Sequence, residues 1–229
     1  MMNTLTIDIG NTNQSFRLFQ DADTLLAQGD LNSLPKKFDI KTTIISCVND
    51  DNLKKIKARF IRPKDFLKYE KLLDMPVRYE SSIGEDRLVC AYYLFKTSSL
   101  PIVLIDTGSF TTIDLITICG FQGGHILPGL KKLEEVYHQG KNLRGKHLHS
   151  NSMIKNELPR STTKAIEQGV LHSFIAPIKE ILAQINETNI IITGGNAKVL
   201  YNLLGVECIT LDSELIHKAL LFFGKQVSV

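Results

Sequence analysis

Short apolar runs alternate with longer amphipathic stretches along this chain, and the alternation starts twice. Leu5 to Ile9 reads as an apolar strand, broken by Gly10-Asn11-Thr12-Asn13. Ser15 to Phe19 then alternates polar and apolar positions, and Thr24 to Gln28 offers a third strand. Tight turns between short strands predict an antiparallel meander. Thr42 to Val48 is a buried strand rich in β-branched residues, followed by a lysine-rich helical stretch from Asp51 to Phe60. Asp86 to Lys96 predicts a helix with Leu88, Ala91, Tyr92 and Phe95 on one face.

The pattern then begins again. Ile102 to Ile105 is a wholly apolar strand leading into Asp106-Thr107-Gly108-Ser109. Thr111 to Cys119 and Gly123 to Leu127 are the next strands. Helices follow over Gly129 to His138 and Ser161 to Ile185, the second with Pro177 as a candidate kink. Asn189 to Thr193 is a strand stopped by Gly194-Gly195, and a helix comes next. A short strand near Glu207 to Leu211 and a helix over Ser213 to Phe223 close the chain. Strands then helices, twice, with a strand–Asp-x-Gly turn opening each half, form a weak internal repeat. A duplicated α/β architecture accounts for it better than one doubly wound sheet. Thr-Ser-Ser-Leu-Pro over Thr97 to Pro101 punctuates the pattern, so the expected domains are 1–98 and 99–229.

Composition leaves this picture intact. Of 229 residues, 43% are hydrophobic and 22% charged, as in ordinary globular proteins, and the length suffices for a real core. A net charge of +3 argues against a dedicated nucleic-acid binder. The basic clusters Lys36-Lys37, Lys54 to Lys57 and Lys141 to Lys146 read as solvated faces. Cys47, Cys90, Cys119 and Cys208 form no CxxC pair, so buried reduced thiols are expected rather than a zinc site. No apolar stretch approaches the ~20 residues that span a bilayer, and no signal-like leader opens the chain. A cytoplasmic protein without membrane or nucleic-acid partners is the expectation.

The candidate chemistry lies in turns. In Asp8-Ile9-Gly10-Asn11-Thr12 a strand delivers a carboxylate to a close backbone turn with small polar donors. Such a turn can cradle phosphate oxygens while the carboxylate holds Mg²⁺ through water. A plain turn with Asx-type hydrogen bonds is the alternative. Asp106-Thr107-Gly108-Ser109 repeats the logic, and two acidic turns would frame a nucleotide cleft between domains. Neither a Walker A sequence nor GxGxxG is present, which disfavours P-loop and Rossmann enzymes. Thr193-Gly194-Gly195-Asn196-Ala197 sits at a strand-to-helix junction, where paired glycines admit a ligand and the helix start favours anions. In Ile83-Gly84-Glu85-Asp86-Arg87 acids open a helix; from spacing alone, a helix start with an exposed arginine explains it.

Taken in order, these elements, with Gly123-Gly124-His125-Ile126-Leu127-Pro128-Gly129 and Ser161-Thr162-Thr163-Lys164-Ala165-Ile166, resemble type III pantothenate kinases. The resemblance runs over nearly the whole chain. It implies an α/β protein of two similar actin-like (ribonuclease H-like) domains with a nucleotide cleft between them. It implies ATP-dependent phosphorylation of pantothenate to 4′-phosphopantothenate, the first step of coenzyme A synthesis. A homodimer, Mg²⁺ and a monovalent cation (K⁺ or NH₄⁺) follow from the same resemblance. By position it makes Asp86 the general base, with Gly84, Arg87 and Thr162 at pantothenate, Thr162 from the partner subunit. Asp8 would hold Mg²⁺ through water, with Gly10, Asn11, Thr12, Gly108 and Ser109 near the phosphates. Asp106 would line the monovalent-cation region, and Gly194 and Gly195 would face the nucleotide.

The chain departs from the family pattern in places. Ser109 stands where the family usually has Thr, and the bulky Phe110 follows it. A family tyrosine upstream of Gly-x-Asp-Arg has no match at its spacing, and Tyr79 is the nearest substitute at the substrate. The segment before Gly84 is compressed. Among the histidines His125, His138, His147, His149, His172 and His217, only His147 and His149 are spaced closely, and a basic surface loop explains them. Leu171, Phe174, Ile175 and Ile178 have helical spacing and read as core or dimer contact; Leu220 to Phe223 could pack a last helix or join an interface. Two further functions compete: a nucleotide-binding regulatory protein without kinase activity, and a kinase of this fold for another small hydroxylated substrate.

Overall fold

The computed structural model describes residues 3–21, 24–35, 38–48, 53, 59–140, 143, 153–155, 157–186, 189–205 and 209–227. In chain order, β1 (Asn3–Ile9), β2 (Gln14–Gln20), β3 (Thr24–Asp30) and β4 (Ile40–Cys47) come first. Three short strands follow, β5 (Leu67–Lys68), β6 (Lys71–Leu72) and β7 (Met75–Pro76), and then α1 (Glu85–Thr97). The second series is β8 (Ile102–Thr107), β9 (Phe110–Thr117), β10 (Gly120–Pro128), α2 (Leu130–Glu135), α3 (Thr162–Ile185), β11 (Ile190–Thr193), α4 (Ala197–Leu204), β12 (Ile209–Leu211) and α5 (Leu215–Val227).

The chain packs as two units. One comprises Met1–Leu100, Ile116–Gly123 and Glu214–Val229; the other comprises Pro101–Leu115 and Gly124–Ser213. The two main sheets follow the same path. The first has the order β3-β2-β1-β4, the second β10-β9-β8-β11-β12. In each, the opening strand is interior, its meander runs to one side, and a parallel strand joins on the other: β4 pairs with β1, and β11 with β8, with β12 added in parallel beyond β11. The repeat read from two Asp-x-Gly turns is thus a repeat of sheet topology.

In the first unit, Leu5, Ile7 and Ile9 of β1 pack with Phe16, Leu18, Ile45 and Cys47. Thr6, on the opposite face, is also buried, because α5 packs on β1. The strand keeps a strict polar–apolar alternation all the same, because the face toward α5 is lined by Thr6, which bonds His217, and not by a second set of apolar side chains. Phe222 and Phe223 of α5 meet Tyr92 and Tyr93 of α1 in edge and tilted ring contacts. The apolar terminus therefore packs a last helix. A methyl on Gly224 would press on the Ile44 side chain, so glycine permits the close approach of α5 to β4. In the second unit, Phe174, Ile175, Ile178 and Ile181 of α3 pack on Val103, Ile105, Ile113, Ile190 and Ile192, which makes the α3 stripe core. Ser161 caps α3 by accepting the Lys164 N–H, and Asn186 ends it at φ 57°, with Pro177 inside a continuous helix.

Three expectations need adjustment. The helix over Gly129 to His138 is shorter: α2 ends at Glu135 and a 3-10 turn carries Val136–Gln139. Cys47 and Cys90 are buried, but Cys119 is exposed, since it falls in the turn between β9 and β10. The small β5-β6-β7 sheet had no counterpart in the sequence reading. Most of the lysine-rich helix over Asp51 to Phe60 lies outside the described residues, as do Lys36-Lys37, His147, His149 and Cys208.

Candidate active site

β1 ends just past Asp8, level with both of its neighbours: Ile9 pairs with Gln14, the first residue of β2, and with Cys47, the last of β4. Asp8 lies opposite Ser15 of β2 and Ser46 of β4. The chain then reverses at Gly10, whose N–H donates to the Asn13 carbonyl at 3.0 Å. Asn11, Thr12 and Asn13 are exposed at the tip, while Asp8 is half-buried. The neighbouring Ser46 hydroxyl is buried without a hydrogen-bond partner among the described residues. Its surroundings are therefore rich in oxygen donors, the type that hard cations prefer.

Gly84 is the N-cap of α1 at φ −64°, ψ 142°, and offers no side chain to the helix. A Cβ there would collide with the Asp86 carboxylate, so glycine leaves Asp86 the space to turn back over the helix start. Asp86 is half-buried and accepts the Arg87 N–H at 2.8 Å. Burial pushes its carboxyl above the usual aspartate value, against the opposing pull of Arg87. Arg87 is not the exposed residue that a simple helix start predicts: it is 6% exposed. Its guanidinium lies 4.9 Å from the Tyr79 ring centre and 5.7 Å from that of Phe121, and Nη1 donates to the Tyr79 hydroxyl at 3.3 Å. Planar, permanently charged arginine suits such an aromatic seat.

In the second unit the other predicted elements converge on one another. Gly194 has φ 89°, in the region open to glycine, and a Cβ there would run into the Asp106 carboxylate and the Thr107 backbone. Asn196 donates from its backbone N–H to the Thr107 carbonyl at 3.1 Å and from its side-chain amide at 3.3 Å. Gly129 donates its N–H to the Ser109 carbonyl at 3.1 Å, and its bare Cα fits against Gly108 and Ser109. Thr111 and Thr112, just past this turn, have buried hydroxyls without partners among the described residues. Gly195 is exposed, and a Cβ on it would meet nothing within 4 Å.

The structure thus groups Asp106, Gly108, Ser109 and Gly194 in one unit. In the other it groups Gly84, Asp86, Arg87 and Tyr79, and carries Asp8, Gly10, Asn11 and Thr12 on their own turn. Thr162 is exposed at the first position of α3.

The profile of type III pantothenate kinases matches residues 4–184. The chain belongs to the type III pantothenate kinase family. A member from Rhodopirellula baltica is 30% identical over 175 residues, covering 72% of this chain and 61% of that protein. Among solved structures, a Campylobacter jejuni protein described as a Baf family transcriptional activator matches 97% of this chain and 98% of its own, at TM-score 0.69 and 23% identity. The ADPNP-bound activator of 2-hydroxyisocaproyl-CoA dehydratase from Clostridium difficile matches 99% of this chain and 96% of its own, at TM-score 0.62 and 13% identity. These likenesses establish the actin-like fold. The type III pantothenate kinases are phosphotransferases, so membership places this chain among enzymes.

Within this family assignment, sequence reading passed over Phe121, Glu85 and Asn196. Phe121 looks like any core aromatic; only the pairing of its carbonyl with the Arg78 N–H at 2.9 Å brings it to Arg87. Glu85 falls at the unspecified position of Gly-x-Asp-Arg. Asn196 did carry a signal, as a polar residue directly after a glycine pair and before a helix.

Proposed function

We propose that this protein transfers the γ-phosphoryl group of ATP to pantothenate, giving 4′-phosphopantothenate. The observation that carries the reading is the Gly84–Arg87 turn. There a carboxyl with raised proton affinity stands beside a buried arginine clamped by two aromatic rings. Asp86 takes the proton of the pantothenate hydroxyl as its oxygen forms a bond to the γ-phosphorus, and the bond to the ADP oxygen breaks. A carboxylate whose pKa lies above the ordinary range is a better proton acceptor at neutral pH. Arg87, held by Tyr79 and Phe121, seats the substrate with Gly84.

Phosphoryl transfer otherwise requires positioning and charge neutralisation. Asp8 with its neighbouring serine hydroxyls fits Mg²⁺, which binds few carboxylates and keeps most of its water. Bound there, Mg²⁺ would offset charge on the phosphate chain. Asn11, Thr12 and Ser109 would offer small donors to phosphate oxygens, while Gly10 and Gly108, whose own amides close their turns, let the backbone come close to them. Asp106, with the unpartnered Thr111 and Thr112 hydroxyls nearby in sequence, supplies oxygen donors suited to K⁺ or NH₄⁺. Gly194 and Gly195 leave room for the nucleotide. Thr162, exposed at the start of α3, acts on pantothenate from the partner subunit of a homodimer in the cytoplasm.

The test uses purified protein with ATP, Mg²⁺ and either K⁺ or Na⁺, offered pantothenate or a panel of sugars. Pantothenate-dependent ADP release is expected, stimulated by K⁺, and light scattering should give a dimer mass. Asp86→Asn should lower kcat by about 10²–10⁴-fold, the usual worth of a general base. ADP release indifferent to pantothenate would overturn the substrate, and an Asp86→Asn enzyme with normal turnover would remove Asp86 from its role.

A further inference from the structure

Glu85 occupies the position that the Gly-x-Asp-Arg element leaves open, yet it is the more deeply buried of the two acids there, at 1% exposure. Both of its oxygens are engaged. Oε2 accepts the backbone N–H of Cys47 at 2.9 Å, and Oε1 accepts from Arg62 Nε at 2.8 Å. Cys47 is the last residue of β4. The next residue, Val48, donates its N–H to the Ile9 carbonyl at 3.1 Å, directly before Gly10. Arg62 follows Ile61, whose backbone pairs with Thr43 and Ile45 of the same strand, and precedes the 3-10 turn Pro63–Phe66. One carboxylate therefore ties the start of α1 to the end of β4, beside the Asp8 turn, and to the 61–66 segment.

A buried ion pair is poor evidence for stability, because desolvation offsets most of the attraction. Burial indeed pushes the Glu85 carboxyl up despite Cys47 and Arg62, and the charge of Asp65 on the adjacent 3-10 turn adds to that push. Orientation explains the arrangement better. The first turn of a helix lacks the backbone bonds that stiffen its interior. Here the N-cap is Gly84, which contributes no side-chain cap, and the first helical bond is Leu88 N–H to the Gly84 carbonyl at 3.0 Å. Successive helical residues project ~100° apart, so fixing one side chain fixes the rotation of its neighbour about the axis.

We propose that Glu85 is a positioning residue for this kinase: anchored to Cys47 and Arg62, it holds the first turn of α1 so that Asp86 points in one direction relative to the Asp8 turn. The proposal rests on Asp86 acting as the base. A misplacement of about 1 Å at a reacting group costs on the order of 10²-fold.

The test compares Glu85→Ala, Glu85→Gln, Arg62→Met and Asp86→Asn by steady-state kinetics with ATP and pantothenate, alongside thermal melting. Glu85→Ala should lower kcat by roughly 10–100-fold while the KM for ATP moves less than about 2-fold. The acidic limb of its kcat–pH profile should also move, because Asp86 sits in a changed environment. Glu85→Gln retains an acceptor for the Cys47 amide and should recover most of the lost kcat. Arg62→Met should lower kcat in the same direction, and the double variant with Glu85→Ala should lose less than the product of the two. A folded Glu85→Ala enzyme with kcat and acidic limb unchanged would overturn the proposal. Should that variant not fold, Glu85→Gln and Arg62→Met decide, and kcat and pH limb unchanged in both would overturn it equally. Failure of the parent reading looks different: Asp86→Asn itself would then retain turnover.

Discussion

Acidification from pH 6.5 to 4 should remove stability that one buried side chain, His217, contributes while it is neutral. The imidazole is 3% exposed, on α5 over the first sheet. Nδ1 lies 2.9 Å from the Thr6 hydroxyl and Nε2 2.9 Å from the Ser15 hydroxyl. The Thr6 hydroxyl donates to the Arg17 carbonyl at 3.3 Å, so it must accept from histidine, which places the ring proton on Nδ1. Ser15 then donates to Nε2. Burial, reinforced by the charge of Arg17 and only partly opposed by Glu214, pushes the imidazole pKa from 6.5 down to about 4. The folded pKa lies below the unfolded one, so between these values the unfolded chain binds a proton that the folded chain refuses. Stability is thus full above pH 6.5 and falls as the pH drops, by about 1.4 kcal/mol per pH unit, to a loss of about 3 kcal/mol near pH 4. Glu214 does not supply the slope above pH 4.5: its pairing with Arg17 at 2.8 Å holds its carboxyl below the ordinary value of 4.5, so the stability it contributes is lost only at lower pH. Urea denaturation of the wild type and His217→Gln at pH 7, 6, 5 and 4.5 measures the effect. The variant starts from a different stability, but the gap between the two should shift by about 2–3 kcal/mol over this range, in the variant's favour at low pH. Parallel curves, or a His217 ring resonance titrating near 6.5, would refute the buried neutral imidazole.

Other outcomes follow from the same geometry. The kcat of the wild type should fall on acidification with a midpoint above the ordinary aspartate value of 3.8, because burial raises Asp86; a pH–rate series under saturating substrates checks this. Arg87→Lys keeps the charge but loses the stacked plane between Tyr79 and Phe121, and should raise the KM for pantothenate by about 10-fold, as a cation–π seat of 1–2 kcal/mol implies. Gly194→Ala forces a methyl at φ 89° toward the Asp106 carboxylate and Thr107. It should cost about 1–3 kcal/mol in folding and weaken nucleotide binding, read by melting with and without a non-hydrolysable ATP analogue.

The fold was legible where periodicity and backbone chemistry agree. Strands rich in apolar residues and ending in Asp-x-Gly turns marked β1 and β8, and helical spacing marked α1 and α3. The β5-β6-β7 sheet was not legible, because two-residue strands carry no period. Nor was it legible that Phe222 and Phe223 would meet Tyr92 and Tyr93, since that pairing joins residues more than a hundred positions apart. At the candidate site, residue types were readable but surroundings were not. Arg87 looks like an exposed charge at a helix start until Tyr79 and Phe121 enclose it. Glu85 looks interchangeable until Cys47 and Arg62 take up both of its oxygens.

The duplicated sheet path also shows how the two acidic turns differ. Register makes Asp8 and Asp106 equivalent: the parallel neighbour of the first is Ser46, that of the second Thr193. Beyond these neighbours the repeats diverge. After Thr193 the chain swings away through Gly194 at φ 89°, and Asn196 returns to cap the Thr107 carbonyl. After Ser46 there is no glycine; Val48 stays bonded to Ile9, and the Cys47 amide is taken by Glu85. A strand end whose amide already holds an internal carboxylate has lost that donor for an external anion. At the equivalent end in the second repeat the Asn196 amide bonds the Thr107 carbonyl and the Ala197 amide the Gly194 carbonyl, but no carboxylate is drawn in and Gly195 stands exposed before the helix. The asymmetry fits the division of labour proposed above: the exposed glycine turn of the second repeat would face the nucleotide, while Glu85 would make the same location in the first an anchor for the helix that carries Asp86.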